Sequence, residues 1–72
     1  MLTGTYNAQY IGKTICGFEN SHDYCIEIGK DEYGYTVEGI TNLTEYKSTS
    51  AYISYASETS LKKNWIIEEY HG

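Results

Sequence analysis

The stretch Ala51-Tyr52-Ile53-Ser54-Tyr55, continued by Ser57-Glu58-Thr59-Ser60-Leu61-Lys62-Lys63-Asn64 and then Trp65-Ile66-Ile67-Glu68-Glu69-Tyr70, reads as strand, one short helical turn, strand. Alternation from Ser50 to Tyr55 buries Ala51, Ile53 and Tyr55 on one face. Ser57 suits the position before a helical turn, because its hydroxyl accepts from a backbone N–H two or three residues on. Leu61 is the turn's one apolar residue, placed to plug the end of a core. Trp65 and Ile67 then face inward on the last strand. Two strands joined by a single helical turn is how a small β-barrel closes on itself.

Working toward the N-terminus, the period stays at two. Thr5 to Ile11 alternates, with Tyr6, Ala8 and Tyr10 on one face and Thr5, Asn7 and Gln9 on the other. Gly12 to His22 breaks the alternation and reads as a long loop, pinned to the core by Phe18. Tyr24, Ile26 and Ile28 alternate with Cys25 and Glu27 in a second strand. Gly29-Lys30-Asp31-Glu32 turns the chain into a third strand, Tyr33 to Ile40, with Tyr35, Val37 and Gly39 on one face. Gly34 and Gly39 within it point to a bulge or a sharp bend. Thr41 to Thr49 is polar and reads as a hairpin loop. No apolar stripe of period 3.6 is long enough for a packed helix. The fold expected is therefore all-β: a small five-stranded SH3-like barrel with a short helical turn before the last strand, filling residues 1–72 as one domain.

Composition agrees with a single globular unit. Seventy-two residues leave no material for a second core. Hydrophobic residues at 40% and charged residues at 21% exclude a disordered chain, and the absence of proline excludes a polyproline linker. Nine tyrosines stand against one phenylalanine, and tyrosine fits strand positions where the ring is buried and the hydroxyl stays wet. Ten acids face five lysines with no arginine, a formal net charge of −5. Such a chain has few cations with which to neutralise phosphates, so nucleic acid is a poor partner.

Residues that carry chemistry are sparse. Cys16 and Cys25, with His22 and His71, lack the short paired spacings of a zinc site, so no metal or other cofactor is expected. The same residues supply thiols and bases, but Cys25 alternates with core positions and no catalytic residue is assigned. Gly12-Lys13-Thr14 has neither the preceding glycine spacing nor the helix of a phosphate-binding loop. Asp31-Glu32 and Glu68-Glu69 are adjacent pairs, which a strand directs to opposite faces. No run is long enough to cross a membrane. Met1-Leu2-Thr3-Gly4 opens without a basic-then-apolar run, so the expectation is a cytoplasmic chain with both thiols free. Asn42-Leu43-Thr44 matches the glycosylation sequon by chance in that setting.

Tyr10-Ile11-Gly12, Gly17-Phe18-Glu19-Asn20, Tyr24-x-Ile26-x-Ile28, Tyr35-x-Val37 and Lys63-Asn64-Trp65 together resemble small uncharacterised proteins encoded by bacteriophages and prophages of Gram-positive bacteria. The resemblance spans most of the chain. It implies an SH3-like barrel of phage origin, acting in the host cytoplasm, and no particular activity. Signalling SH3 domains match less well. Their Ala-Leu-Tyr-Asp-Tyr run, paired tryptophans and late proline are all missing here. The function expected is non-enzymatic: binding a host protein with a basic surface and inhibiting or redirecting a defence factor or regulator. The residues expected to carry it are Tyr33, Tyr46 and Tyr52 with Asp31, Glu32 and Glu45, forming one acidic-aromatic surface. Two alternatives stay open. One is an assembly module that self-associates through a sheet edge. The other is a small barrel that stacks nucleic-acid bases or nucleotides on its tyrosines.

Overall fold

The structure, a computed structural model, describes residues 2–70, with Glu69 described by its backbone alone. The strands are β1 (Gly4–Tyr10), β2 (Asp23–Asp31), β3 (Gly34–Asn42), β4 (Lys47–Ser48), β5 (Tyr52–Tyr55) and β6 (Trp65–Tyr70), with helix α1 (Glu58–Asn64) before β6. They form one antiparallel sheet in the order β4-β3-β2-β1-β6, and β5 also pairs with β3. The all-β reading with one short helix holds.

Three details differ from the alternation. First, β2 runs on to Asp31, so Gly29 and Lys30 stay in the ladder and only Glu32 and Tyr33 make the turn. Second, the expected fourth strand, Ser50 to Tyr55, is shortened to β5, and the two-residue β4 lies before it within the stretch read as the Thr41–Thr49 loop, both on one partner. Lys47 and Ser48 face Asn42 and Thr41, while Tyr52–Tyr55 face Glu38–Tyr35. Between them Thr49 N–H donates to Ile40 O (3.1 Å) and Gly39 N–H to Ala51 O (2.8 Å), so the chain still tracks β3. Third, Ile53 and Ile67 are only partly buried.

The break in β4–β5 lies opposite a bulge. Cys25 pairs with Thr41 but Ile26 pairs with Gly39, leaving Ile40 as the extra residue and exposed. An added residue reverses the side-chain facing, which is the purpose a bulge serves. Beyond the bulge Asn42, rather than Thr41, is buried, while Gly39 before it shares the inward face of Val37 and lies beneath Phe18. A Cβ there would meet the Phe18 ring and the Thr49 methyl, each at 2.9 Å.

The core gathers Tyr6, Ala8 and Tyr10 from β1, Tyr24, Ile26 and Ile28 from β2, Val37 from β3, Trp65 from β6, and Phe18, Ala51 and Leu61 from the connections. Its centre is aromatic. Ring centroids of Phe18 lie 5.6 Å from Tyr10, 5.1 Å from Tyr24 and 5.0 Å from Trp65. Phe18 reaches them because residues 11–22 fold back over the sheet as a small hairpin. Ile15 and Phe18 exchange both backbone hydrogen bonds at 3.0 Å. Cys16 and Gly17 between them have φ of 58° and 87°, the twist of the two-residue turn that favours Asn-Gly. Both cysteines are free, Cys16 exposed at this tip and Cys25 half-buried.

Helix α1 follows its capping signal. Ser57 Oγ accepts from Ser60 N–H (3.1 Å), and Leu61 is fully buried. Asn64 O accepts from Ile11 N–H (2.8 Å), which ties the helix end to the start of the loop. Trp65 Nε1–H donates to Tyr55 Oη (3.0 Å), so a side-chain bond links β6 to β5.

Depth sets the cost of truncation. Ile26→Ala, fully buried, is expected to lose about 2–5 kcal/mol. Ile53→Ala, half-buried, is expected to lose at most about 2 kcal/mol. Urea unfolding of both variants checks this; equal losses would mean that β5 packs as deeply as β2.

Candidate functional site

The turn between β2 and β3 is built by Asp31. Its carboxylate accepts from Tyr33 N–H (2.8 Å), closing a local turn and leaving Tyr33 81% exposed. Gly34 follows with φ +142° because the backbone of Tyr55 and Ala56 passes against it; a Cβ there would lie 2.2 Å from Tyr55 O. That close approach brings the end of β5 alongside the turn. Asp31, Tyr33, Gly34, Tyr35, Ser54, Tyr55 and Ala56 line an open cleft of about 270 Å³ between them. Tyr35 and Tyr55 are register partners and form its aromatic wall. Lys30 Nζ stands 5.4 Å from the centroid of the Tyr35 ring.

The cleft is aromatic and rimmed by one carboxylate. It is smaller than the roughly 300–1,000 Å³ that enclose a drug-sized ligand. Tyr55 is held by the hydrogen bond its hydroxyl accepts from Trp65. Burial pushes the hydroxyl up from 10.0 to about 12, and the bond from Trp65 Nε1–H opposes that shift.

The six residues singled out in the sequence do not form one surface. Asp31 and Tyr33 line the cleft and Glu32 sits beside them on the same turn. Glu45 and Tyr46 lie in the β3–β4 turn at the other end of β3. The eight residue steps from Gly34 to Asn42 span about 26 Å at 3.3 Å per residue. Tyr52 pairs with Glu38 and is exposed on the outward face of the sheet. Sequence proximity suggested one patch, and the extended strand between the turns separates it into three places. Tyr55 was read as buried and Tyr35 as sharing the face of Val37; both pack partly buried against the core and also line the cleft, because they are the last inward-facing pair of their strands. That terminal position is the signal that marks them.

The β3–β4 turn has its own organisation. Asn42, 4% exposed, accepts from Thr44 and Glu45 N–H at 2.9 Å each. The sequon asparagine is therefore a buried turn residue. Its amide also reaches His22, which lies against Glu19. His71 lies outside the described residues. No helix among the described residues is long and apolar enough to cross a membrane.

Compared with protein-family models, with curated proteins and with solved structures, the chain matches none.

The raised Tyr55 ionisation has a consequence at high pH. The unfolded chain loses the phenolic proton near pH 10 and the folded chain near 12. Above pH 10 the unfolded state therefore binds fewer protons, and stability falls as pH rises through this window. Burial raises Tyr10 and Tyr24 as well and steepens the fall. Tyr55→Phe is expected to flatten this pH dependence. It should also cost about 1–3 kcal/mol at neutral pH, because the buried Trp65 N–H loses its acceptor. Urea midpoints of both proteins from neutral to alkaline pH provide the check.

Proposed function

We propose that this chain is a non-enzymatic binding module on an SH3-like barrel, and that the Asp31–Tyr33–Tyr35–Tyr55 cleft receives a basic side chain of a partner protein. One observation carries the reading: an open cleft with tyrosine walls and a carboxylate at its rim. A guanidinium stacks on tyrosine faces and pairs with a carboxylate in the same pocket. Lys30, with Nζ 5.4 Å from the Tyr35 ring centroid, already uses one ring in this way. The barrel assignment draws support from the meandering strand order, the long loop after the first strand, and the short helix before the last.

The resemblance to phage-encoded proteins supplies the rest. The partner is then a host protein, met in the host cytoplasm and inhibited or redirected by being bound. The net charge of −5 favours encounter with a basic surface. Self-association is the second reading. It is favoured by the outer sides of β5 and β6, which have no strand partner among the described residues.

Titration with arginine-containing peptides, followed by amide shifts, tests the cleft. Shifts are expected at residues 31–35 and 54–56. Tyr33→Ala leaves stability within about 0.5 kcal/mol, since the ring is exposed. It is expected to weaken binding about tenfold, mainly through faster dissociation. Asp31→Lys is expected to slow association and flatten its salt dependence. Binding indifferent to both substitutions would place the interface elsewhere. Concentration-dependent sedimentation without peptide binding would favour the sheet edge.

A further inference from the structure

At the end of the sheet opposite the cleft, three electron-pair donors converge from two separate connections. Glu19 and His22 come from the loop after β1, and Glu45 comes from the β3–β4 turn. His22 Nδ1 stands 3.5 Å from Glu19 Oε2, and the ligand atoms of all three residues lie within 4.8 Å of one another. Two adjacent ligands on a tetrahedral ion with bonds of about 2.0–2.1 Å are about 3.4 Å apart. The Glu19–His22 pair therefore already has a metal-binding spacing.

The imidazole sets this group apart from an ordinary patch of surface acids. Buried Asn42 is held by its oxygen to two backbone N–H groups, so its nitrogen must be the end facing the cluster. That nitrogen lies 3.1 Å from His22 Nδ1 and donates to Glu45 Oε1 at 3.3 Å. That N–H faces Nδ1, which places Nδ1 as an acceptor, the role it would play toward a metal ion. One amide donor is thus shared between an imidazole lone pair and a carboxylate, with a second carboxylate beside them. Lys47, an exposed side chain, lies 3.2 Å from Glu45 Oε1, and an exposed pair of that kind holds its carboxylate weakly.

We propose that Glu19, His22 and Glu45 bind one divalent transition-metal ion of the zinc class, which clasps the loop after β1 to the β3–β4 turn. On binding, the half-buried imidazole swings from the Asn42 amide toward Glu19. The ion replaces the amide hydrogen at Nδ1, and Glu45 exchanges Lys47 for the metal. The turn keeps its shape, because Asn42 remains anchored through its oxygen. One imidazole with two carboxylates fits zinc or a neighbouring first-row ion rather than calcium, which takes six to eight oxygens. Water completes the coordination on the exposed side. A link between Glu19 and Glu45 closes a long segment of chain, so the ion stabilises the fold as well as binding to it. The inference is independent of the cleft and its partner.

Calorimetric titration of the untagged, reduced protein with zinc chloride tests it, together with thermal melts across the same concentrations. One ion per chain and a melting temperature that rises with zinc are expected. The nitrogen resonance of His22 Nδ1 should shift on binding. Cobalt(II) should perturb amides near Glu19, His22 and Glu45. His22→Gln, and separately Glu45→Gln at an exposed carboxylate, should each weaken binding at least about tenfold. Calcium should not compete. Zinc without effect on the melting temperature would overturn the proposal. So would zinc affinity unchanged in both variants, or cobalt perturbation centred on Cys16 or Cys25.

Discussion

The packing of Phe18 among Tyr10, Tyr24 and Trp65 is the interaction on which the rest of the structure depends. Phe18 belongs to a connection, yet it lies at the centre of the core and is fully buried. Edge-on and tilted ring pairs of this kind add about 0.5–1.5 kcal/mol each beyond the area they bury. Ordering the twelve residues between β1 and β2 costs about 1–2 kcal/mol per residue in backbone entropy, and little else in that segment is apolar and buried. The tyrosines reinforce the ring packing with their polar ends. Tyr24 Oη accepts from Glu19 N–H (2.8 Å), and Tyr10 Oη donates to Lys13 O. Each ring thus has its face in the core and its hydroxyl on the backbone of the same loop.

The ring cluster also explains irregularities elsewhere. Phe18 needs room against β3, which Gly39 provides by having no side chain. Gly39 faces inward in step with Val37, and the bulge at Ile40 that follows it turns Asn42 inward and lies opposite the break between β4 and β5. Once the loop is held, Glu19 and His22 are carried to the β3–β4 turn, where Thr44 and Leu43 stitch that turn to Asp23. At the other end, Trp65 passes the constraint to Tyr55 through its indole N–H, fixing the wall of the cleft. Two surfaces at opposite ends of β3 are thus positioned from one packed centre.

Much of the architecture was legible from alternation. The inward faces of β1 and β2, the Ser57 cap, the buried Leu61 and the anchoring role of Phe18 all follow from period and residue type. The bulge at Ile40 left only the hint of Gly39, because a one-residue insertion changes facing without changing composition. The division of β4 from β5 lies opposite that bulge and was hidden with it. The candidate sites were harder to read. Tyr33 and Tyr46 are similar residues on similar turns, and only the length of β3 shows that they lie apart. Tyr35 and Tyr55 follow the core pattern, and the end of the strand leaves them lining a cleft. Glu19, His22 and Glu45 share no local spacing, because the cluster is assembled by loop packing.

Native-state hydrogen exchange with increasing urea measures the central dependence most directly. The amides of Ile15, Phe18, Glu19 and Ser21 all donate hydrogen bonds within or from the loop. If the four rings hold the loop as part of the core, these amides share the protection and urea dependence of Ile26 and Ile28 in β2, opening only with global unfolding. Loop amides that exchange through low-energy, urea-independent openings while β2 stays protected would contradict that dependence. Phe18 would then be an accessory to a sheet that stands without it.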